Sequence, residues 1–141
     1  MTNRRISDIV KDQRPFILPP TSTVEQACLG MLERPCGAVL VADDARRLLG
    51  IFTGRDAVGR VLAMRRDASR TPLADVMTRD PTSIPAGSTA IEALRLMQDC
   101  GIRHLPIVED GKVTGIVSTG DFRGLEKARL DEETGLFERM Y

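Results

Sequence analysis

The chain reads itself twice. Pro15, Pro19, Ser22, Thr23, Ala27 and Met31 recur 66 residues later as Pro81, Pro85, Ser88, Thr89, Ala93 and Met97. Gly50, Ile51 and Asp56 recur 65 residues later as Gly115, Ile116 and Asp121. The spacing drops by one between Asp43-Asp44-Ala45-Arg46 and Glu109-Asp110-Gly111, which predicts a loop there, because loops absorb single-residue length changes. A tandem repeat of this length is one supersecondary unit used twice. Two such units packed together create a pseudo-twofold cleft, a common place for a ligand.

A unit of about 60 residues buries only roughly 60% of its unfolded surface. The halves of this 141-residue chain are therefore expected to share a core. Lys plus Arg (20) balances Asp plus Glu (20), so no bulk charge points to a nucleic acid. Four Phe and one Tyr supply little base-stacking surface, which counts against it again. Arg60, Arg65, Arg66 and Arg70 form a local cluster that reads as a solvated helix face or as an anion patch. No apolar run approaches the roughly 18 residues of a membrane span, and no apolar segment follows Met1-Thr2-Asn3-Arg4-Arg5 as in a signal peptide. Cys28, Cys36 and Cys100 are odd in number and lack C-x-x-C spacing. Free thiols in a reducing cytoplasm are expected.

Each repeat opens with a lead-in, Ile6-Ser7-Asp8-Ile9-Val10 and Leu73-Ala74-Asp75-Val76-Met77. A proline-bounded stretch follows, 15–19 and 81–85, which proline holds extended as an edge strand or loop. Thr23-x-x-Gln26 and Thr89-x-x-Glu92 are capping boxes that start helices. Val24, Ala27, Cys28, Met31 and Leu32 predict one buried helix face, and Ala90, Ala93, Leu94 and Met97 repeat it. Two strands come next, 38–41 with 48–52 and 105–108 with 113–117, and Asp110-Gly111 predicts a tight hairpin. A second helix is expected over about 56–66 and again over about 121–133. The order strand, helix, strand, strand, helix is an α+β pattern of small sheets carrying helices on one face. The expected organisation is repeat 1 over 1–66, a linker over 67–72, repeat 2 over 73–128 and a C-terminal helical tail over 129–141.

These residues resemble the CBS domain, present as one tandem pair over roughly residues 6–128. The most specific segments are Gly101-Ile102-Arg103-His104-Leu105-Pro106-Ile107-Val108 and Gly115-Ile116-Val117-Ser118-Thr119-Gly120-Asp121, answered in the first repeat by Gly50-Ile51-Phe52-Thr53-Gly54-Arg55-Asp56. The resemblance implies two β-α-β-β-α repeats packed sheet to sheet with pseudo-twofold symmetry. It implies a regulatory module for adenosine-containing ligands: AMP, ADP or ATP, less often NAD(H) or S-adenosylmethionine. The ligand would alter the orientation of the repeats and so signal to a regulated partner protein. It also implies a homodimer, because the family commonly builds four-repeat discs and twofold dimers are the commonest soluble oligomer.

The candidate site residues lie where a strand meets a helix, at Thr53-x-x-Asp56 and Ser118-x-x-Asp121. A carboxylate can accept both ribose hydroxyls, and a hydroxyl beside free N–H groups suits a phosphate. The same residues read equally well as helix N-caps with first-turn acids. The resemblance adds Arg103 and His104 as phosphate partners of the Asp121 site. Their first-repeat counterparts are Gly37 and Ala38, and Arg55 offers partial compensation. It further places Phe16 and Ile17 near a base held at Asp121, and Thr78 and Thr82 near one held at Asp56.

Cys100 and His104 stand four apart but lack further metal ligands in the sequence. No nucleophile elbow indicates catalysis. The competing reading is a ligand-free dimerisation module with an apolar tail face of Leu125, Leu130, Leu136, Phe137 and Met140.

Overall fold

The computed structural model describes residues 4–124 and 126–130. The first repeat contains helix α1 (Ile6–Ile9), strand β1 (Ile17–Leu18), helix α2 (Val24–Glu33) and strands β2 (Ala38–Ala42) and β3 (Leu48–Thr53). Helix α3 (Gly54–Asp56) then runs on as a π-helix over Ala57–Leu62. The second contains α4 (Leu73–Val76), β4 (Thr78–Arg79), α5 (Ala90–Cys100), β5 (His104–Glu109), β6 (Lys112–Ser118) and a 3-10 turn over Thr119–Asp121.

The repeat is realised residue by residue. Antiparallel pairing begins at Ala38 with Thr53 in one hairpin and at His104 with Ser118 in the other. Both hairpins bulge at the equivalent step, Val41/Ala42 and Ile107/Val108. Asp110 and Gly111 take φ 52° and 78°, the tight turn expected. The capping boxes at Thr23 and Thr89 both form. The two sheets meet through Ala38, Leu40, Ala42, Ile51 and Val113, flanked by Ile17, Leu48 and Ile116. Their hairpin tips are tied where the Val113 N–H donates to the Arg46 carbonyl at 2.9 Å and the Arg46 guanidinium donates to the Val113 carbonyl at 3.1 Å.

The lead-ins are exchanged. Ile6 of α1 is fully buried in the core of the second repeat, with Leu94, Met97, Leu105 and Ile107. Leu73 and Val76 of α4 are buried in the core of the first, with Val39, Val41 and Phe52. The exchange continues into the sheets. β4 pairs with β3, Thr78 opposite Ile51, and joins the first sheet as its fourth strand. At the equivalent place the first repeat uses a side chain: the Ile116 N–H donates to Gln13 Oε1 at 2.7 Å, and Gln13 Nε2 donates to the Ile116 carbonyl at 2.8 Å. The crossings require glycine. A Cβ on Gly50 would stand 2.5 Å from Met77 Sδ, and one on Gly115 would stand 2.9 Å from Gln13 Oε1.

Three expectations are corrected, and one open alternative is decided. The second helix of the second repeat is not continuous from Asp121, because Phe122 is extended (φ −96°, ψ 143°) to bury its ring, and helix resumes after it. Of the two alternatives for 81–85, the stretch is a loop with one bridge, Ile84 to Ile107, since prolines bound it. Leu32 is not in the buried stripe but exposed: α2 rests on the sheet through Val24, Ala27 and Met31, and the next residue turns about 100° away. In the tail, Leu130 is buried in the second core rather than on an open face, and Leu125, Leu136, Phe137 and Met140 lie outside the described residues.

Gln13→Ala removes both bonds to Ile116 and leaves two backbone groups at the sheet edge unpaired. A loss of about 1–3 kcal/mol is expected, several degrees in melting temperature. Scanning calorimetry checks this, and an unchanged Tm would show that the side chain does not act as the missing strand.

Candidate functional site

Both strand-to-helix corners are held by the same bonding. The Thr53 N–H and hydroxyl donate to Asp56 Oδ2 at 2.9 and 3.1 Å, and the Asp56 N–H donates back to Thr53 Oγ1 at 3.3 Å. The Ser118 N–H and hydroxyl donate to Asp121 Oδ2 at 2.7 and 3.3 Å. The N-cap role open in the sequence is therefore realised at both corners. It uses one carboxylate oxygen of each acid and leaves the chemistry of the other to be settled by its neighbours.

Those neighbours differ. Asp56 Oδ1 lies 3.6 Å from Nε of Arg60. Arg60 in turn donates from Nη1 to the carbonyls of Val76 and Met77, at 3.1 and 3.0 Å. This chain of contacts brings the Asp56 corner to β4 and Thr78. It also engages Arg60, although that side chain stays exposed, and Arg70 is paired with Asp67 at 3.8 Å. Asp121 Oδ1 has no bonding partner among the described residues. Its backbone carbonyl instead accepts from Arg4 at 3.1 Å, and Arg4 is clamped to Glu126 at 2.6 Å. That clamp holds the Glu126 carboxyl below its ordinary range, first through the Arg4 hydrogen bond.

His104 stands where the two repeats meet. A Cβ on Gly37 would lie 3.2 Å from His104 Nε2, so the imidazole covers the first-repeat counterpart of Arg103. The corners brace these strand starts in the same way: the Gly54 N–H donates to the Gly37 carbonyl at 3.1 Å and the Thr119 N–H to the Arg103 carbonyl at 3.2 Å. Burial pushes the His104 pKa down from its ordinary value, Asp121 opposes the shift and Arg103 reinforces it. The structure thus brings Ser118, Asp121, His104 and Arg103 together around one corner.

The remaining candidates divide. Ile17 packs in the layer between the sheets beside Ile116. Phe16, its neighbour along the strand, points the other way: its ring packs with the first-repeat core over Gly30, under Arg34, whose guanidinium carbon is 4.7 Å from the ring centroid. Phe16 is therefore a contact of helix α2. Arg55 and Thr82 are exposed. An open cavity of about 510 Å³ lies between α5 and the residues after Phe122, lined by Met97, Ile102, Arg103, Thr119, Lys127 and Leu130 among others. It touches the Asp121 corner from behind, through Arg103 and Thr119, and is not the inter-repeat cleft. Sequence reasoning missed Arg4 and Gln13, and it saw Arg60 only as a member of the arginine cluster. The paired glycines Gly50 and Gly115 were the one signal that something crosses both strands closely. Among the described residues no three His, Cys, Asp or Glu side chains group as metal ligands, and no helix is long and apolar enough to cross a membrane.

The chain belongs to the CBS-domain family, whose model matches residues 6–63 and 73–126. An uncharacterised 17.7 kDa protein of Acidianus ambivalens is 36% identical over 123 residues, 86% of this chain and 71% of that protein. The CBS domain-containing protein CBSCBSPB1 of Arabidopsis thaliana is 36% identical over 100 residues, which are 71% of this chain but 18% of the plant protein. The chain thus spans less than a fifth of the length of such plant relatives. Among solved structures, a CBS-domain protein of Agrobacterium tumefaciens superposes with a TM-score of 0.76 at 28% identity, covering 89% of this chain and 98% of that one. A CBS domain protein of Pyrobaculum aerophilum, complexed with AMP, superposes at 0.81 with 22% identity, covering 91% and 98%.

Because the folded state resists protonating His104, the unfolded chain takes up more protons as pH falls through the ordinary value of 6.5. Stability linked to His104 is then present above that pH and lost on acidification towards its lower folded pKa. His104→Gln should flatten the dependence of Tm on pH between about 5 and 7. Parallel curves for variant and wild type in a fluorescence melt would remove His104 as the source.

Proposed function

We propose that this CBS pair is a regulatory module that binds an adenine nucleotide, AMP, ADP or ATP, in the cleft between its repeats and signals its occupancy to a partner protein. The observation that carries the reading is the Asp121 corner. One carboxylate oxygen is fixed by Ser118, the other is unengaged among the described residues, and His104 and Arg103 stand beside it. A fixed carboxylate oxygen beside cationic and imidazole groups suits a ribose and a phosphate on one ligand. The AMP complex of the Pyrobaculum protein, which shares the fold, supports the class of ligand.

In this reading Asp121 accepts from the ribose hydroxyls, Ser118 lends its hydroxyl, Arg103 and His104 face phosphate, and Ile17 walls the base. Thr53, Asp56, Arg55, Thr78 and Thr82 make a second, looser site, weakened because Arg60 already leans on Asp56. Ligand bridging the repeats shifts their orientation only as far as its affinity differs between the two arrangements.

Thermal melts of ligand-stripped protein with AMP, ADP, ATP, NAD and S-adenosylmethionine test the reading. At 100 times its dissociation constant a ligand adds about 2.7 kcal/mol, several degrees for a domain of this size. No shift with any of them at millimolar concentration would favour the ligand-free interaction module instead.

Titration calorimetry separates the sites. Asp121→Ala should weaken the tighter event roughly ten- to a hundredfold, the cost of a charged hydrogen bond, while Asp56→Ala touches only the looser one. Arg103→Ala should weaken AMP binding and spare adenosine. The opposite order of the two aspartates would overturn the ranking, and equal losses for AMP and adenosine would remove Arg103 from the phosphate.

A further inference from the structure

The cavity behind the Asp121 corner has no part in the reading above, and its origin is local. In the first repeat the helix runs on from Gly54 to Leu62. In the second, Phe122 is extended with its ring buried, and helix resumes only beyond it. The space between the resumed helix and α5 is the open cavity of about 510 Å³. Small-molecule sites commonly span roughly 300–1,000 Å³.

Its walls are of two kinds. Leu94, Met97 and Leu130 are buried members of the second core and Ile102 packs against it, so the cavity has an apolar floor. Arg103 and Lys127 also line it, and both are exposed. Neither side chain makes an ion pair among the described residues, and no Asp or Glu among them lines the cavity. Two uncompensated cations over an apolar floor fit a ligand with an apolar body and an anionic head. Guanidinium and ammonium groups both take carboxylate or phosphate oxygens. A wholly apolar ligand would cover the cations without pairing them, which is costly. A bare inorganic anion would leave the floor in water.

The duplication supplies an internal control. At the matching positions the first repeat has Leu32 for Gln98, Cys36 for Ile102, Gly37 for Arg103, Leu62 for Lys127 and Arg65 for Leu130. Leu32 and Leu62 are exposed. Both cations and half of the apolar floor therefore belong to the second repeat alone, and the repeat fold forms without them.

We propose that the cavity between α5 and the residues after Phe122 is a separate ligand site for a small amphipathic anion. Its apolar chain or ring lies on Leu94, Met97, Ile102 and Leu130, and its carboxylate or phosphate head is held by Lys127 and Arg103. The inference does not depend on nucleotide binding. Arg103 also belongs to the proposed nucleotide corner, so the test turns on Lys127 and Gln98, which do not.

Amide NMR titration of the full chain with octanoate and with octyl phosphate tests it. The amides of Gly101, Thr119 and Lys127 should shift saturably, while those of Gly37 and Gly54, the first-repeat control, stay in place. Affinity should rise about fourfold per methylene from butyrate to octanoate, as apolar burial requires. Octanol and octylammonium, which keep the body and lack the anion, should bind at least about tenfold more weakly. The tighter of octanoate and octyl phosphate identifies the head group. Lys127→Glu should weaken it about tenfold or more, and Gln98→Glu, at another exposed lining position, severalfold. Circular dichroism melts check the fold of both variants, and either one reads the charge of the cavity if the other fails to fold. No saturable shift with either probe up to about 5 mM, octylammonium binding as tightly as octanoate, shifts centred on Gly37 and Gly54, or full affinity in the folded variants would each overturn the proposal.

Discussion

The exchange of lead-ins between the repeats is the contact on which the rest of this molecule depends. A unit of about 60 residues cannot exclude enough water to stand alone. Here neither unit is asked to. Ile6 is wholly buried among second-repeat side chains, and Leu73 among first-repeat ones. Each core is therefore incomplete without a segment from the other half of the chain. The small layer between the sheets, rich in Ala38, Ala42 and other modest side chains, need not hold the pair together unaided.

This connection constrains any signal. Two repeats that share cores cannot swing freely about the sheet interface, so the signalling proposed above would have to pass through the segments that cross. At the Asp121 corner such a path exists: Arg4, ahead of α1, donates to the Asp121 carbonyl and is clamped to Glu126 beyond the corner. At the Asp56 corner the crossing is made through Arg60 to the carbonyls of Val76 and Met77 at the end of α4. Both corners thus report to a lead-in. At Asp56 the reporter occupies the carboxylate itself, whereas at Asp121 it grips only the backbone. That difference leaves Asp56 with both carboxylate oxygens engaged and Asp121 with one that has no bonding partner among the described residues.

Much of this was legible because its causes are local. The capping boxes at Thr23 and Thr89, the Asp110-Gly111 turn and the strand pairs beside it follow from hydrogen bonds between residues close in sequence. The family followed from the repeat, and the acids at 56 and 121 were visible as a pair. What was not legible depends on distant partners. Nothing near Gln13 says that its amide will complete a sheet edge at Ile116. Nothing near Arg60 says that α4 will arrive with two carbonyls. Leu32 fits a helical stripe as well as Met31 does, and only the narrow contact of α2 with the sheet decides that one is buried and the other not. Phe122 breaks its helix because the ring is drawn into a core that lies far away in sequence.

A duplicated fold separates what the backbone demands from what a surface does. Where both repeats keep the same residue, as in the glycines at 50 and 115 or the threonine caps, the cause is a crowding or bonding requirement present in each half. Where the geometry is shared and the side chains differ, that requirement is absent and another cause has to be sought. Gly37 and Arg103 both accept from the first N–H of their corner through the backbone, so the arginine is not needed to build the corner. Ala38 and His104 open equivalent strands, so the imidazole is not needed to start one. The same reasoning applies to the helix faces, apolar in one repeat and cationic in the other. Two such divergences lie beside the Asp121 carboxylate and on the outward helices. In both, the fold tolerates either residue, and one choice sets a cation or a hydrophobic group where a second molecule can reach it.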